Sequence, residues 1–119
     1  MKKTLVLGAS PKPERFAFKA VELLRKYGHP VIAVGLRDGE IGETKIQKEL
    51  YVENDIDTVT LYLGEQNQPQ YYDYLLKLNP KRIIFNPGTE NDELIKMAKN
   101  QGIETVEDCT LVMLRGNYY

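Results

Sequence analysis

Gly8, Ala9, Ser10 and Arg15 stand in one short stretch directly behind an apolar run, Thr4-Leu5-Val6-Leu7. An apolar, β-branched run that stops at a glycine and gives way to a helical pattern reads as strand, tight turn and helix. Such a turn aims backbone N–H groups and a helix N-terminus at one point. Both favour an anion, so phosphate is the default ligand. Gly8 bends the chain where a side chain would clash and lets a ligand come close. Ser10 supplies a hydroxyl as helix cap or phosphate donor. Arg15 falls in the first turn of the predicted helix, where a positive charge opposes the macrodipole unless an anion is bound. A pyrophosphate would turn that cost into a gain and use the guanidinium as a fork, while Glu14 is the competing local partner. Ser10 and Pro13 occupy the places where G-x-G-x-x-G would have its second and third glycines. The spacing therefore speaks for phosphate more than for NAD.

The end of the second predicted strand bears on the same choice. An NAD site wants a carboxylate there for the ribose hydroxyls. Gly35 and Leu36 hold that place, followed by Arg37, with Asp38 in a glycine-flanked turn. An arginine at this point suits a phosphate on the ribose, as in NADP or the 3′-phosphate of coenzyme A. Its plain alternative is a solvated loop charge. Reactive groups are scarce. The one histidine, His29, lies in a Gly-His-Pro turn that precedes a strand, away from the ligand end. Cys109, the one cysteine, follows Glu107-Asp108, whose carboxylates would raise a thiol's pKa, so a buried structural thiol is expected. There is no H-x-E zinc pattern, no G-x-S-x-G elbow and no G-x-x-x-x-G-K-[ST] loop. The residues point to a binding site with no catalytic residue and no metal.

The elements that position these groups follow from periodicity. Phe16, Ala20, Leu23, Leu24 and Tyr27 fall on one helical stripe, with Gly28 as its stop. Val31-Ile32-Ala33-Val34 reads as a buried parallel strand. Residues 40–56 are the least regular; Ile41-Gly42 and residues 46–52 offer a short edge strand and turns. Thr58-Val59-Thr60-Leu61-Tyr62-Leu63 is the next strand, and residues 64–68 form a polar loop. A short, very apolar helix carries Tyr71, Tyr72 and Tyr74 and stops before Asn79-Pro80. Arg82-Ile83-Ile84-Phe85 is a strand ending at Asn86-Pro87-Gly88. Thr89 and Asn91 are both candidate N-caps for a helix running to about residue 100. A last strand covers 103–106, and 110–114 forms a final helical turn or two. This alternation predicts an α/β fold: a Rossmann-like, doubly wound parallel sheet of five or six strands with helices on both faces. In such sheets ligands sit outside the carboxyl ends of the strands, which gathers 8–15, 35–37, 62–66, 86–88 and 108–109 at one end.

Composition sets the outer bounds. The length, 119 residues, suits one domain spanning 1–119. A net charge of -1 argues against a nucleic-acid or anionic-membrane partner. No run approaches the roughly 18–20 apolar residues of a membrane span, and the charged turn after Gly8 cuts the opening too short for a signal peptide. A single cysteine allows no internal disulfide, so a cytoplasmic, reducing location is expected. The tyrosines at 71, 72 and 74 cannot all face inward on so short a helix. Half core and half subunit contact is the expectation, and with it a homodimer.

Gly8-Ala9-Ser10 with the following prolines and Arg15 resembles the G-A-S-x-x-P-x-R opening of the small stand-alone CoA-binding domain proteins. These are similar to the CoA-binding domain of the succinyl-CoA synthetase α subunit and of ADP-forming acyl-CoA synthetases. The resemblance runs the length of the chain. Tyr27-Gly28-His29-Pro30-Val31-Ile32-Ala33-Val34 resembles the family's G-Y-x-V-I-P-V segment, and Ile41-Gly42 its L-G turn. Asp57-Thr58-Val59 resembles the V-D-x-V strand, and Asp108-Cys109 the D-x-C ending. Two places depart: Gly35-Leu36 stands for the usual Asn-Pro, and Phe85 and Asn86 replace the Trp and Gln of W-x-Q-x-G.

The resemblance implies a Rossmann-like fold that binds coenzyme A or an acyl-CoA, with no established reaction. It implies that Gly8, Ala9 and Ser10 hold the diphosphate and that Arg15 is a phosphate partner. Gly35, Leu36 and Arg37 would border the adenosine end, while Tyr62, Leu63, Asn86, Pro87 and Gly88 would line the pantetheine path. Without the synthetases' phosphohistidine domain, ligase activity is not expected. Two other classes stay open: an NAD(P)-dependent oxidoreductase, and an interaction module that kept the fold and lost the ligand.

Overall fold

The computed structural model describes all of residues 1–119. Five short strands run parallel in its centre: β1 (Thr4–Leu7), β2 (Val31–Val34), β5 (Thr58–Leu61), β6 (Arg82–Phe85) and β7 (Glu104–Glu107). Two more, β3 (Glu40–Ile41) and β4 (Thr44–Gln47), form an antiparallel hairpin whose second strand pairs parallel with β2. The sheet thus has seven strands in the order β3-β4-β2-β1-β5-β6-β7, rather than five or six. Ile41 and Ile46 explain the extra strands, because both are buried and both need the helix side of the sheet. The expected edge strand therefore ends at Gln47, and residues 48–52 carry no regular structure.

β1 pairs with β2 on one side and with β5 on the other. The chain consequently reverses its direction of travel across the sheet beside β1, which opens a crevice at the carboxyl ends of these strands.

Side-chain alternation along β1 sorts the core into two layers. Leu5 and Leu7 join Val59, Leu61, Ile83 and Phe85 beneath α2 (Tyr72–Leu78) and α3 (Asp92–Asn100). Val6 and Ala33 face α1 (Phe16–Lys26) and α4 (Thr110–Arg115). On α1 the buried residues are Ala17, Ala20, Val21 and Leu24, so the inward stripe is rotated by one residue from the expected one. Small side chains at 17 and 20 let the helix sit close to the sheet. Phe16, at 66% exposure, is left at the helix start beside the crevice. Tyr71 and Tyr74 are core residues, and the half-buried Tyr72 accepts a hydrogen bond from Asn91 Nδ2 at 2.8 Å. The tyrosine cluster is thus accounted for within the chain. No helix is long and apolar enough to cross a membrane.

Candidate functional site

A cleft of about 400 Å³ lies at the carboxyl ends of β1, β2, β5 and β6. Gly8, Ala9, Ser10, Arg15, Leu36, Arg37, Tyr62, Leu63, Pro87 and Gly88 all line it. Gly35 and Asn86 do not. Gly35 lies behind the first loop, where a Cβ would run into the carbonyl oxygen of Ala9, so glycine here lets the loop after β1 close onto β2. Gly8, with φ of 98°, plays the matching part against β5: a Cβ there would approach the Tyr62 carbonyl carbon to 3.0 Å.

Few backbone donors around the cleft remain free for a ligand. The N–H groups of Gly8 and Ala9 both donate to the Val34 carbonyl at 2.9 Å, so they tie the loop to β2 instead of facing the cleft. Ser10 Oγ accepts from the Lys12 N–H at 3.2 Å, and the Arg15 N–H reaches the Lys12 carbonyl at 3.0 Å. Arg15 is the N-cap of α1, but no side chain caps that end and no acidic residue sits in its first turn. The first backbone acceptor on this helix, the Arg15 carbonyl, serves Lys19. The N–H groups of Phe16 and Ala17 therefore point out of the helix start with no acceptor, and both residues line the cleft. The Ser10 N–H is likewise free of backbone and side-chain acceptors.

Charge follows the same pattern. Lys12, Arg15 and Arg37 line the cleft, and no aspartate or glutamate does. None of the three belongs to the chain's ion pairs, which join Lys3 to Glu53, Arg25 to Glu43, Lys48 to Asp38 and Lys81 to Asp57. Glu14 leaves Arg15 unpaired. Asp38, the carboxylate nearest the end of β2, turns to Lys48 at 3.4 Å and leaves Arg37 as the charge at that corner. Three uncommitted cations around an uncapped helix start form a positive, donor-rich pocket in a chain of net charge -1.

The opposite wall is built differently. Asn86-Pro87-Gly88-Thr89 is a tight turn in which the Thr89 N–H and Oγ both donate to the Asn86 carbonyl, at 2.9 and 2.8 Å. Proline followed by a glycine at φ 90° is what a type II turn requires. Asn86 sits beneath this turn. Its Nδ2 donates to Thr60 Oγ1 at 2.6 Å and to the Leu61 carbonyl at 2.8 Å, and its Oδ1 accepts from the Thr110 N–H at 2.9 Å. This asparagine supports the pocket without lining it.

Tyr62 forms part of the floor. Its hydroxyl is buried without a hydrogen-bond partner, and that burial, with Cys109 nearby, holds its pKa far above the usual tyrosine value. It stays a neutral phenol and offers no base. Cys109 is half-buried at the start of α4, outside the cleft, and its N–H donates to Asp108 Oδ1 at 2.6 Å. His29 sits at the other end of the sheet, where its Nδ1 accepts from the Lys2 N–H at 3.0 Å and burial lowers its pKa. No group of three or more His, Cys, Asp or Glu residues could hold a metal ion.

Lys12, Phe16, Ala17, Gly64 and Thr89 also line the cleft; strand order brings Lys12 and Gly64 to this end without assigning them a contact, and sequence reasoning missed Phe16, Ala17 and Thr89. Lys12 was legible as a cation inside the first loop. Phe16 was assigned to the core stripe, which hid its place at the rim.

The chain matches the family model of the CoA binding domain over residues 2–115. It is similar to a crystal structure of an uncharacterized protein at 50% identity, with a TM-score of 0.98, covering 100% of this chain and 98% of that one. A hypothetical protein from Pyrococcus horikoshii OT3 superimposes with a TM-score of 0.86 at 27% identity, over 98% of this chain and 83% of its own. A Thermus thermophilus protein gives a TM-score of 0.86 at 23% identity, covering 99% of this chain and 90% of that one, a likeness of fold alone. No curated protein matches the chain.

Proposed function

The chain belongs to the CoA-binding domain family, and from that premise we propose that residues 1–119 act as one unit that binds coenzyme A or an acyl-CoA, with no catalytic centre of its own. One observation carries the reading: Lys12, Arg15 and Arg37 converge, unpaired and without a carboxylate among them, on a cleft where the start of α1 is uncapped. The diphosphate lies against the Ser10, Phe16 and Ala17 N–H groups with Arg15 as its charged partner. Arg37, next to Leu36, takes the phosphate on the ribose. Tyr62, Leu63, Pro87 and Gly88 wall the pantetheine arm. Gly8 and Gly35 act through backbone packing and Asn86 through the turn above it.

Asp38 bears on the competing dinucleotide reading. An NAD ribose needs a carboxylate at the end of β2, whereas Leu36 and Arg37 line the cleft there and Asp38 does not. Calorimetric titration with CoA, NADH and NADPH tests the choice. Heat on adding CoA, with none from NADH, is the expected result; tight NADH binding with no response to CoA would overturn it.

A further inference from the structure

Gln68 belongs to a loop whose composition reads as solvated, yet its side chain is fully buried. Its amide donates both hydrogens to backbone carbonyls, one to Leu63 at 2.9 Å and one to Thr89 at 2.8 Å. Its Oε1 accepts from Asn91 Nδ2 at 2.9 Å. Asn91 Oδ1 accepts from the Leu94 N–H at 3.2 Å, capping α3, and this fixes which end of the Asn91 amide faces Gln68. Leu63 and Thr89 both line the cleft, one on the loop after β5 and the other on the turn after β6.

We propose that Gln68 is a positioning residue that sets the gap between these two loops and so selects for the arm of the ligand rather than for its nucleotide end. The proposal rests on the CoA reading above. A buried amide is costly unless its hydrogen bonds are made, and here both donors and the acceptor are used. Replacing it removes one bond from each loop and leaves two carbonyls without partners. The two loops are then free to part at the lip, while Asn86 still joins β5, β6 and α4 below. The phosphate-binding wall, residues 8–17, makes none of these bonds; Gly8 packs against Tyr62 and Leu63, but the hydrogen bonds that hold this wall run to the Val34 carbonyl on β2, so the nucleotide end is held as before.

The test compares two probes on wild type and Gln68→Leu: CoA, and 3′-phosphoadenosine 5′-diphosphate, which is CoA without its pantetheine arm. The expected result is a loss of about tenfold in CoA affinity with the nucleotide's affinity unchanged. Equal losses for both probes, or no loss for either, would overturn the proposal. Should Gln68→Leu fail to fold by thermal melting, Asn91→Ser decides. Serine retains a cap for α3 but removes the donor to Gln68. A smaller loss for CoA alone supports the brace, and an unchanged ratio of the two affinities sinks it. Wild-type protein that takes the nucleotide but gains nothing from the arm contradicts the brace alone; wild-type protein that takes neither probe contradicts the CoA reading beneath it.

Discussion

On one side of the cleft, residues 8–17 and the adjoining Arg37 leave the N–H groups of Ser10, Phe16 and Ala17 without acceptors and three cations, Lys12, Arg15 and Arg37, without partners. On the other side, Gln68 ties Leu63 to Thr89, Asn91 ties Gln68 to α3, and Asn86 ties the turn to β5 and α4. Both walls hang from the same parallel sheet, yet one keeps its donors open and the other closes nearly all of them. A wall whose polar groups are satisfied internally contributes shape. A wall whose groups are not contributes attraction. Substitutions should therefore separate by side: changes in the braced wall cost folding stability and, at Gln68, the arm's share of the affinity, while changes in the open wall cost the hold on the phosphates.

The largest effect is expected at Asn86. Asn86→Ala removes three buried hydrogen bonds and strands the Thr110 N–H and the Leu61 carbonyl. Urea unfolding should show a loss of about 3 kcal/mol. A loss under about 1 kcal/mol would mean that this wall is not held from below.

Gly35→Ala comes next, because it joins the two kinds of behaviour. The new Cβ meets the Ala9 carbonyl oxygen and must push the first loop off β2. A stability loss of about 2 kcal/mol, accompanied by weaker CoA binding, is expected by melting and calorimetry. Unchanged affinity would show that the loop's approach to β2 does not shape the site.

Arg15→Ala should cost about 1.5 kcal/mol of CoA binding, roughly tenfold, and shift the urea midpoint little, since the side chain makes no ion pair within the chain. A drop in stability of comparable size would erase the distinction between the walls.

The smallest effect lies away from both walls and serves as a control. Burial lowers the folded-state pKa of His29 from 6.5, so below that value the unfolded chain binds its proton first. The stability due to the neutral ring is complete above pH 6.5 and declines as pH falls toward the lower folded value. His29→Gln should flatten that slope in urea titrations and leave CoA affinity unchanged. A pH slope identical in the variant would remove His29 from the account.

Much of this could be read from residue order. A parallel sheet brings the residues after each strand to one end, so strand order alone places Ser10, Arg37, Tyr62 and Gly88 together. The remainder depends on what lies across from a residue. Gly35 reads as a ligand contact because glycine at a strand end suits that role, and only the neighbouring Ala9 carbonyl shows its use. Gln68 sits among Glu65, Gln66 and Asn67, and nothing in that polar run distinguishes the one side chain that points inward. Gly8 and Ala9 look like phosphate donors until the Val34 carbonyl is seen to hold both. The α1 stripe slips by one residue because Phe16 is apolar and Ala17 is small, and periodicity weights the larger side chain. The hairpin at 40–47 is too short for its alternation to stand out.

An amide-resolved titration reads the donors left open at the start of α1 directly. In nitrogen-15 spectra of the wild-type protein with added CoA, the Ser10, Phe16 and Ala17 amide signals should move most, and the Gln68-braced amides of 89–91 much less. Saturable CoA binding that leaves the Phe16 and Ala17 amides in place would contradict the account.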